Sequence, residues 1–358
     1  MRGYQYICQN AVQNFLDHFI PIPDNFNVNP GYLYGLSCSE FIQGLRTLTG
    51  IISQMYGDMI INPSAYGFPL ADYTEQNTAK IRDAKYSSHR LVTLLHTFVN
   101  NGVYSNEKIT VASKIFLDAC KQLKSAYKIT NIGKILSKMC DFGFTVDGFN
   151  GKNLDKKKTE FVLYHKDRNV IAALYGYMLN KPLSESMFSI NYHIVLPSAD
   201  LSDSFCHKIF AEYLSGDERD FYIHFYESLK DNEAIIYEFN GFSVYYRLNL
   251  KSRRYVAQCY SANGKLRIDL ILRLINHYSG KVVDYPETIK TLFRKKSDCF
   301  SCNESCKNKL IRVFEGEEYI DCGCKCNFAI NSYQADDIEF YRRIILLEAD
   351  AAINKSKN

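Results

Sequence analysis

TNIGKILSKMCDFGFTV, residues 130–146, is the stretch on which the reading of this chain turns. Ile132, Ile135, Leu136 and Met139 recur at helical spacing and form one apolar stripe. Thr130 stands where an N-cap belongs, and Gly143 stops the helix. Phe144-Thr-Val146 then alternates as a strand does. Outward on the C-terminal side, Phe161–Tyr164 reads as a partner strand across a Gly- and Lys-rich loop, Gly148–Lys158, with a further helix from Asn169. Outward on the N-terminal side, the pattern predicts a helix over about Thr110–Tyr127. Another covers about Ala79–Val99 and stops at Asn101-Gly102.

Three helices followed by a hairpin with a basic tip resemble a winged helix-turn-helix over residues 79–182. The resemblance implies a nucleic-acid-contacting module, with DNA or RNA as partner. Six lysines (114, 121, 124, 128, 134, 138) lie between 114 and 138 with one acid, Asp118, and the loop adds Lys152, Lys156, Lys157 and Lys158. With the third helix for recognition and the loop as wing, Lys134, Ser137, Lys138, Lys156, Lys157 and Lys158 lie near phosphates. No arginine occurs between Arg90 and Arg168, which argues against strong base readout.

The remaining segments predict a multi-domain α+β chain. Residues 1–78 form a helical region, with helices near Ala11–Phe19 and from an N-cap at Ser39. The apolar run Phe41–Ile61 is broken by Gln43, Arg46, Gln54 and Asp58, as in an amphipathic helix and not a membrane span. Residues 183–298 read as an α+β domain. Its expected parts are a strand at Phe188–Leu196, helices at Asp203–Leu214 and Glu218–Leu229, and strands at Ala234–Phe239, Phe242–Leu248, Arg254–Tyr260 and Leu266–Ile275. A short helix runs from Pro286 towards Phe293. Residues 299–358 comprise a Cys-rich zinc-binding subdomain and a helix over about Ala335–Ile353.

Six of the twelve cysteines fall within 28 residues: Cys299, Cys302, Cys306, Cys322, Cys324 and Cys326. Leu310–Phe314 and Glu318–Asp321, either side of Glu315-Gly316-Glu317, read as a hairpin that returns Cys322 to the Cys299-x-x-Cys302 knuckle. Zinc takes four ligands at tetrahedral geometry, and a closed all-thiolate site is structural. The expected set is Cys299, Cys302 and Cys306 with Cys322 or Cys324, its charge offset by Lys307, Lys309, Lys325 and Arg312. The iron–sulfur spacings and the thioredoxin context are absent.

A net charge of +4, with 46% apolar and 23% charged residues, excludes a disordered or low-complexity chain. No Gly-x-Gly-x-x-Gly, Gly-x-Ser-x-Gly or His-Glu-x-x-His occurs, and Gly148–Lys152 lacks the phosphate-loop spacing. His89 and His96 share a helix face without a nearby carboxylate, and His207 and His224 lie on separate predicted helices. The expectation is a cytosolic binding or regulatory protein with structural zinc, no nucleotide cofactor and no membrane partner. The alternatives are an enzyme with its site in 183–298 or a thiol-based redox or metal sensor.

Overall fold

The computed structural model describes residues 4–68, 84, 89–123, 129–179, 192–197, 202–240, 243–250, 254–262, 265–294, 309–322, 327–330 and 333–357. The chain is mixed α+β and divides into two compact units, 1–200 and 201–358. The sequence segments 1–78 and 79–182 fall in the first unit, and 299–358 falls with most of 183–298 in the second.

The first unit begins with α1 (Tyr4–Leu16) and α2 (Cys38–Ile61). The cap of α2 is Ser37, not Ser39. The Ser37 hydroxyl accepts from the Glu40 N–H and the Glu40 carboxylate accepts from the Ser37 N–H, so Ser39 lies inside the first turn. Then come α3 (His89–Asn101), β1 (Val103–Ser105), β2 (Lys108–Ala112), α4 (Ser113–Gln122) and α5 (Ile132–Asp141). The helix expected from Thr110 therefore begins only at Ser113. Ile109 and Val111 are buried while Lys108 and Ala112 are exposed, a period of two that belongs to a strand. Asn131, left-handed at φ 57°, precedes α5 in place of the expected Thr130 cap. Ile135, Leu136 and Met139 are buried as the stripe requires.

β3 (Phe144–Asp147) and β4 (Glu160–His165) pair antiparallel, and α6 (Arg168–Met178) follows. The four-stranded sheet has the order β1-β2-β4-β3. Every residue from Val170 to Met178 is buried, and α6 packs along α2. Two glycines set that approach. A β-carbon on Gly44 would fall inside the Asn169 carbonyl, and one on Gly176 inside the Tyr32 carbonyl. Of the strand expected at 188–196, residues 192–196 are described, and Tyr192–Val195 form a 3-10 turn.

The second unit contains α7 (Asp203–Glu212), α8 (Gly216–Leu229) and the strands β5 (Ile235–Asn240), β6 (Ser243–Leu248), β7 (Tyr255–Ala262) and β8 (Lys265–Ile271). After α9 (Glu287–Phe293) come β9 (Lys309–Phe314), β10 (Glu317–Cys322), β11 (Asn327–Ala329) and α10 (Ile338–Lys357). β5 to β8 form an antiparallel meander, and β11 adds to β8, giving the order β11-β8-β7-β6-β5. Val244, Tyr246, Ile268 and Leu270 share a core with Phe221 and Phe225 of α8 and Tyr341 and Ile344 of α10. The β9–β10 hairpin spans the residues expected from sequence and extends to Cys322.

Candidate functional site

The lysine loop between β3 and β4 is a small folded structure. Phe149 and Leu154 form a bridge, and the Asp155 N–H donates to the Gly148 carbonyl at 2.7 Å. The Asn150 Oδ1 accepts from the N–H groups of Lys152 (3.0 Å) and Asn153 (2.8 Å), and Asp155 Oδ1 accepts from Lys157 N–H (2.9 Å). Gly148 and Gly151 take φ near +88° and +85°, which an L side chain rarely adopts. Lys152, Lys156, Lys157 and Lys158 are all exposed. Among the described residues, only Lys158 of the four has an acid within ion-pair distance, its Nζ lying 3.5 Å from Asp147.

Two contacts fix this loop against the helices. Ser113, at the start of α4, donates its N–H to the Thr159 carbonyl (3.0 Å) and its hydroxyl to the Lys158 carbonyl (2.6 Å). Exposed Lys114 therefore sits beside the base of the loop. Gly133 of α5 has no β-carbon, and the Lys152 carbonyl occupies the space one would need. Lys114, Lys152, Lys156, Lys157 and Lys158 thus belong to one connected surface. Lys114 was countable in the sequence, but its adjacency to the loop depends on a bond across 45 residues.

The α5 lysines are placed differently. Lys134 Nζ donates to the Ser64 carbonyl at 3.0 Å. Lys138 pairs with Asp58 at 2.9 Å and Asp141 at 3.4 Å, with 23% of its side chain exposed. Its hydrogen bond to Asp58 raises its pKa from the ordinary lysine value. Ser137 is half-buried. This side of α5 faces the segment around Asp58–Tyr66 and anchors the helix to it.

Cys299, Cys302, Cys306, Cys324 and Cys326 lie outside the described residues. Cys322 closes β10 with Lys309 as its partner in register. Arg312, expected beside a thiolate site, is fully buried. It donates to the Phe293 carbonyl, and its guanidinium lies 4.5 Å from the Tyr319 ring centroid and 5.2 Å from that of Phe328. Among the described residues no group of three His, Cys, Asp or Glu side chains is placed to hold a metal, and Cys38, Cys120, Cys140 and Cys259 are free thiols.

Two buried polar centres of the second unit were not apparent in sequence. Glu348 has no exposed surface and pairs with Arg254 at 2.6 Å. It also accepts from Tyr278 Oη (2.8 Å) and the N–H groups of Arg273 and Leu274 (3.0 Å each). Burial is the largest influence on it and raises its pKa. His207 hydrogen-bonds Tyr222 Oη, stacks on Tyr226 at 3.6 Å and meets the Tyr237 ring edge-on at 4.6 Å. Burial pushes its pKa down to about 3, so the ring is neutral. His89, which sequence set beside His96, is likewise pushed down to about 4 by burial.

No helix among the described residues is long and apolar enough to cross a membrane. No family model, curated protein or solved structure matches the chain.

Proposed function

We propose that this protein binds the phosphate backbone of DNA or RNA through Lys152, Lys156, Lys157 and Lys158, with Lys114 at the margin. The observation that carries this reading is the ordered lysine loop, held against α4 by Ser113 and against α5 by the close approach at Gly133. Four lysines and one acid, Asp155, fall in its eleven residues, Gly148–Lys158. A fixed array of ammonium groups suits phosphates, which are contacted largely without regard to sequence. The order α3, β2, α4, α5, β3, loop, β4 supports reading this part of the chain as winged-helix-like. Lys134 and Lys138 are positioning residues in this reading, because they tie α5 to Ser64 and Asp58.

The test is retention on DNA and on RNA columns as a function of salt. Each phosphate neutralised on B-DNA contributes a slope of about −0.9 in log affinity against log salt. Reversing Lys152, Lys156, Lys157 and Lys158 to Glu should abolish salt-sensitive retention on whichever nucleic acid binds. Retention with an unchanged salt slope sinks the reading.

A structural zinc site is a second element of the proposal, favoured by the β9–β10 register. Cys322 pairs with Lys309, and Cys306 precedes Lys309 by only three residues. Covalent reach keeps Cys306 within about 11 Å of Lys309. Cys299, Cys302 and Cys306 with Cys322 or Cys324 would hold the ion, and Cys326 completes the cluster of six. Free thiols elsewhere suit the reducing cytosol, where clustered cysteines serve metals more than disulfides. Elemental analysis of the purified chain should find zinc, and Cys302→Ser with Cys306→Ser should remove it. Absence of metal from the wild-type chain defeats this element alone.

A further inference from the structure

A cavity of about 530 Å³ opens beside α10 in the second unit, a volume within the usual range for small-ligand sites. One wall is the 3-10 turns Ile275–His277 and Ser279–Lys281, which contribute His277 and Lys281. The other is the last part of α10, which contributes Asn354, Lys355 and Asp350 together with the apolar Leu347 and Ala351. The side chains of His277, Lys281, Asn354 and Lys355 make no hydrogen bond or ion pair with any described residue. The negative end of the α10 dipole accounts for a lysine at position 355. It does not account for Lys281 and His277, which come from the opposite wall.

The two walls are fastened together through a lining residue, Tyr278. Tyr278, between His277 and Lys281, donates its hydroxyl to Glu348 of α10, whose carboxylate also takes the Arg273 and Leu274 N–H groups and Arg254. Glu348 directly follows Leu347, so the buried centre fixes the spacing between the cationic turn and the helix. A site whose walls are already set loses little to reorganisation when it binds.

The geometry points to a binding site for a small phosphate monoester. Lys281, Lys355 and His277 supply donors to a dianion, and the amide of Asn354 adds another. Asp350 accepts from a hydroxyl on the ester, whose carbon chain lies on Leu347 and Ala351. This inference does not rest on the nucleic-acid reading, since the two sites share no residue.

The experiment titrates the full chain with glycerol 3-phosphate, and separately with glycerol and with inorganic phosphate, by calorimetry. Saturable one-to-one binding of the ester is expected, weaker binding of phosphate, and none of glycerol. Lys281→Ala with Lys355→Ala should weaken ester binding by about tenfold or more. Circular dichroism should show an unchanged fold. The variant with Lys152, Lys156, Lys157 and Lys158 changed to Glu should bind the ester as the wild type does. No saturable binding at millimolar ester overturns the inference. So does equal binding by the Lys281/Lys355 variant, or loss of binding in the loop variant, which would assign the anion to the loop.

Discussion

The two units hold themselves together in different ways. In residues 1–200 the close contacts are made by backbone: α2 and α6 touch through Gly44, and α6 touches the Pro30–Tyr32 turn through Gly176. Both interiors hold buried polar side chains, but among the described residues those of 1–200, such as His18, Arg90 and His165, include no carboxylate, and those of 201–358 do. Every buried carboxylate among the described residues (Asp269, Asp337, Glu348) lies there, as does His207 with its aromatic surround. The first kind of packing is vulnerable to an added atom. The second is vulnerable to a lost charge, while a gained proton threatens both, through His89 in the first unit and His207 in the second.

The largest effect should come from Glu348→Ala, which strands Arg254 and removes the acceptor of Tyr278 and two backbone N–H groups. Breaking a buried ion pair from one side costs about 3–5 kcal/mol, so the urea midpoint of the second unit should fall steeply. Glu348→Gln keeps much of the hydrogen bonding and should fall less. If the Ala variant unfolds like the wild type, the polar account of this unit is wrong.

Next comes Gly176→Ala. The added methyl meets the Tyr32 carbonyl, and overpacking of this kind costs about 1–3 kcal/mol, part of which the better helix propensity of alanine returns. Ala172→Gly, one turn earlier on the same buried helix, gives the opposite steric change. If both variants are neutral in thermal unfolding, close backbone packing does not hold the first unit.

The His207 prediction is one of pH. Unfolded, the imidazole takes up a proton near pH 6.5; folded, it resists until about 3. Between those values the unfolded state binds more protons, so stability present above 6.5 is lost as pH falls through the window. The slope from this one group approaches about 1.4 kcal/mol per pH unit. His207→Phe should flatten the dependence of unfolding free energy on pH relative to wild type, whatever its effect on absolute stability. An unchanged slope would mean the ring is not held neutral.

The smallest effect on folding should come from reversing the four loop lysines. They are exposed and lie outside both kinds of interior, so stability should stay within about 0.5 kcal/mol. A larger loss on thermal melting would show that the loop belongs to the packing of the first unit.

Patterns of short range were legible in the sequence. The stripe of Ile135, Leu136 and Met139, the alternation in β6 and the β9–β10 hairpin all follow from spacing within one element. Val111 shows the limit, because five apolar or small residues around it suit a strand or a helix edge until a partner is known. The partner is β4, paired through Phe161. Lys138 was legible as a lysine on a helix face, but not as the partner of Asp58, eighty residues earlier. Glu348 gave no local signal at all. An acid in a helix that also carries Glu339 and Asp350 looks solvated until Arg254, Tyr278 and the 273–274 backbone arrive around it. β11, three residues long, is too short to carry a period.

The bonds from Asn150, Asp155 and Ser113 give the lysine loop its shape from within the chain. Association through such a loop needs little ordering of backbone, so its temperature dependence should be that of counterion release and not of coupled folding. Heat-capacity change on binding should accordingly be small. If the loop binds phosphates as proposed, the same rigidity would limit it to partners whose phosphate spacing already matches it, so geometry could select a duplex even where no base is read.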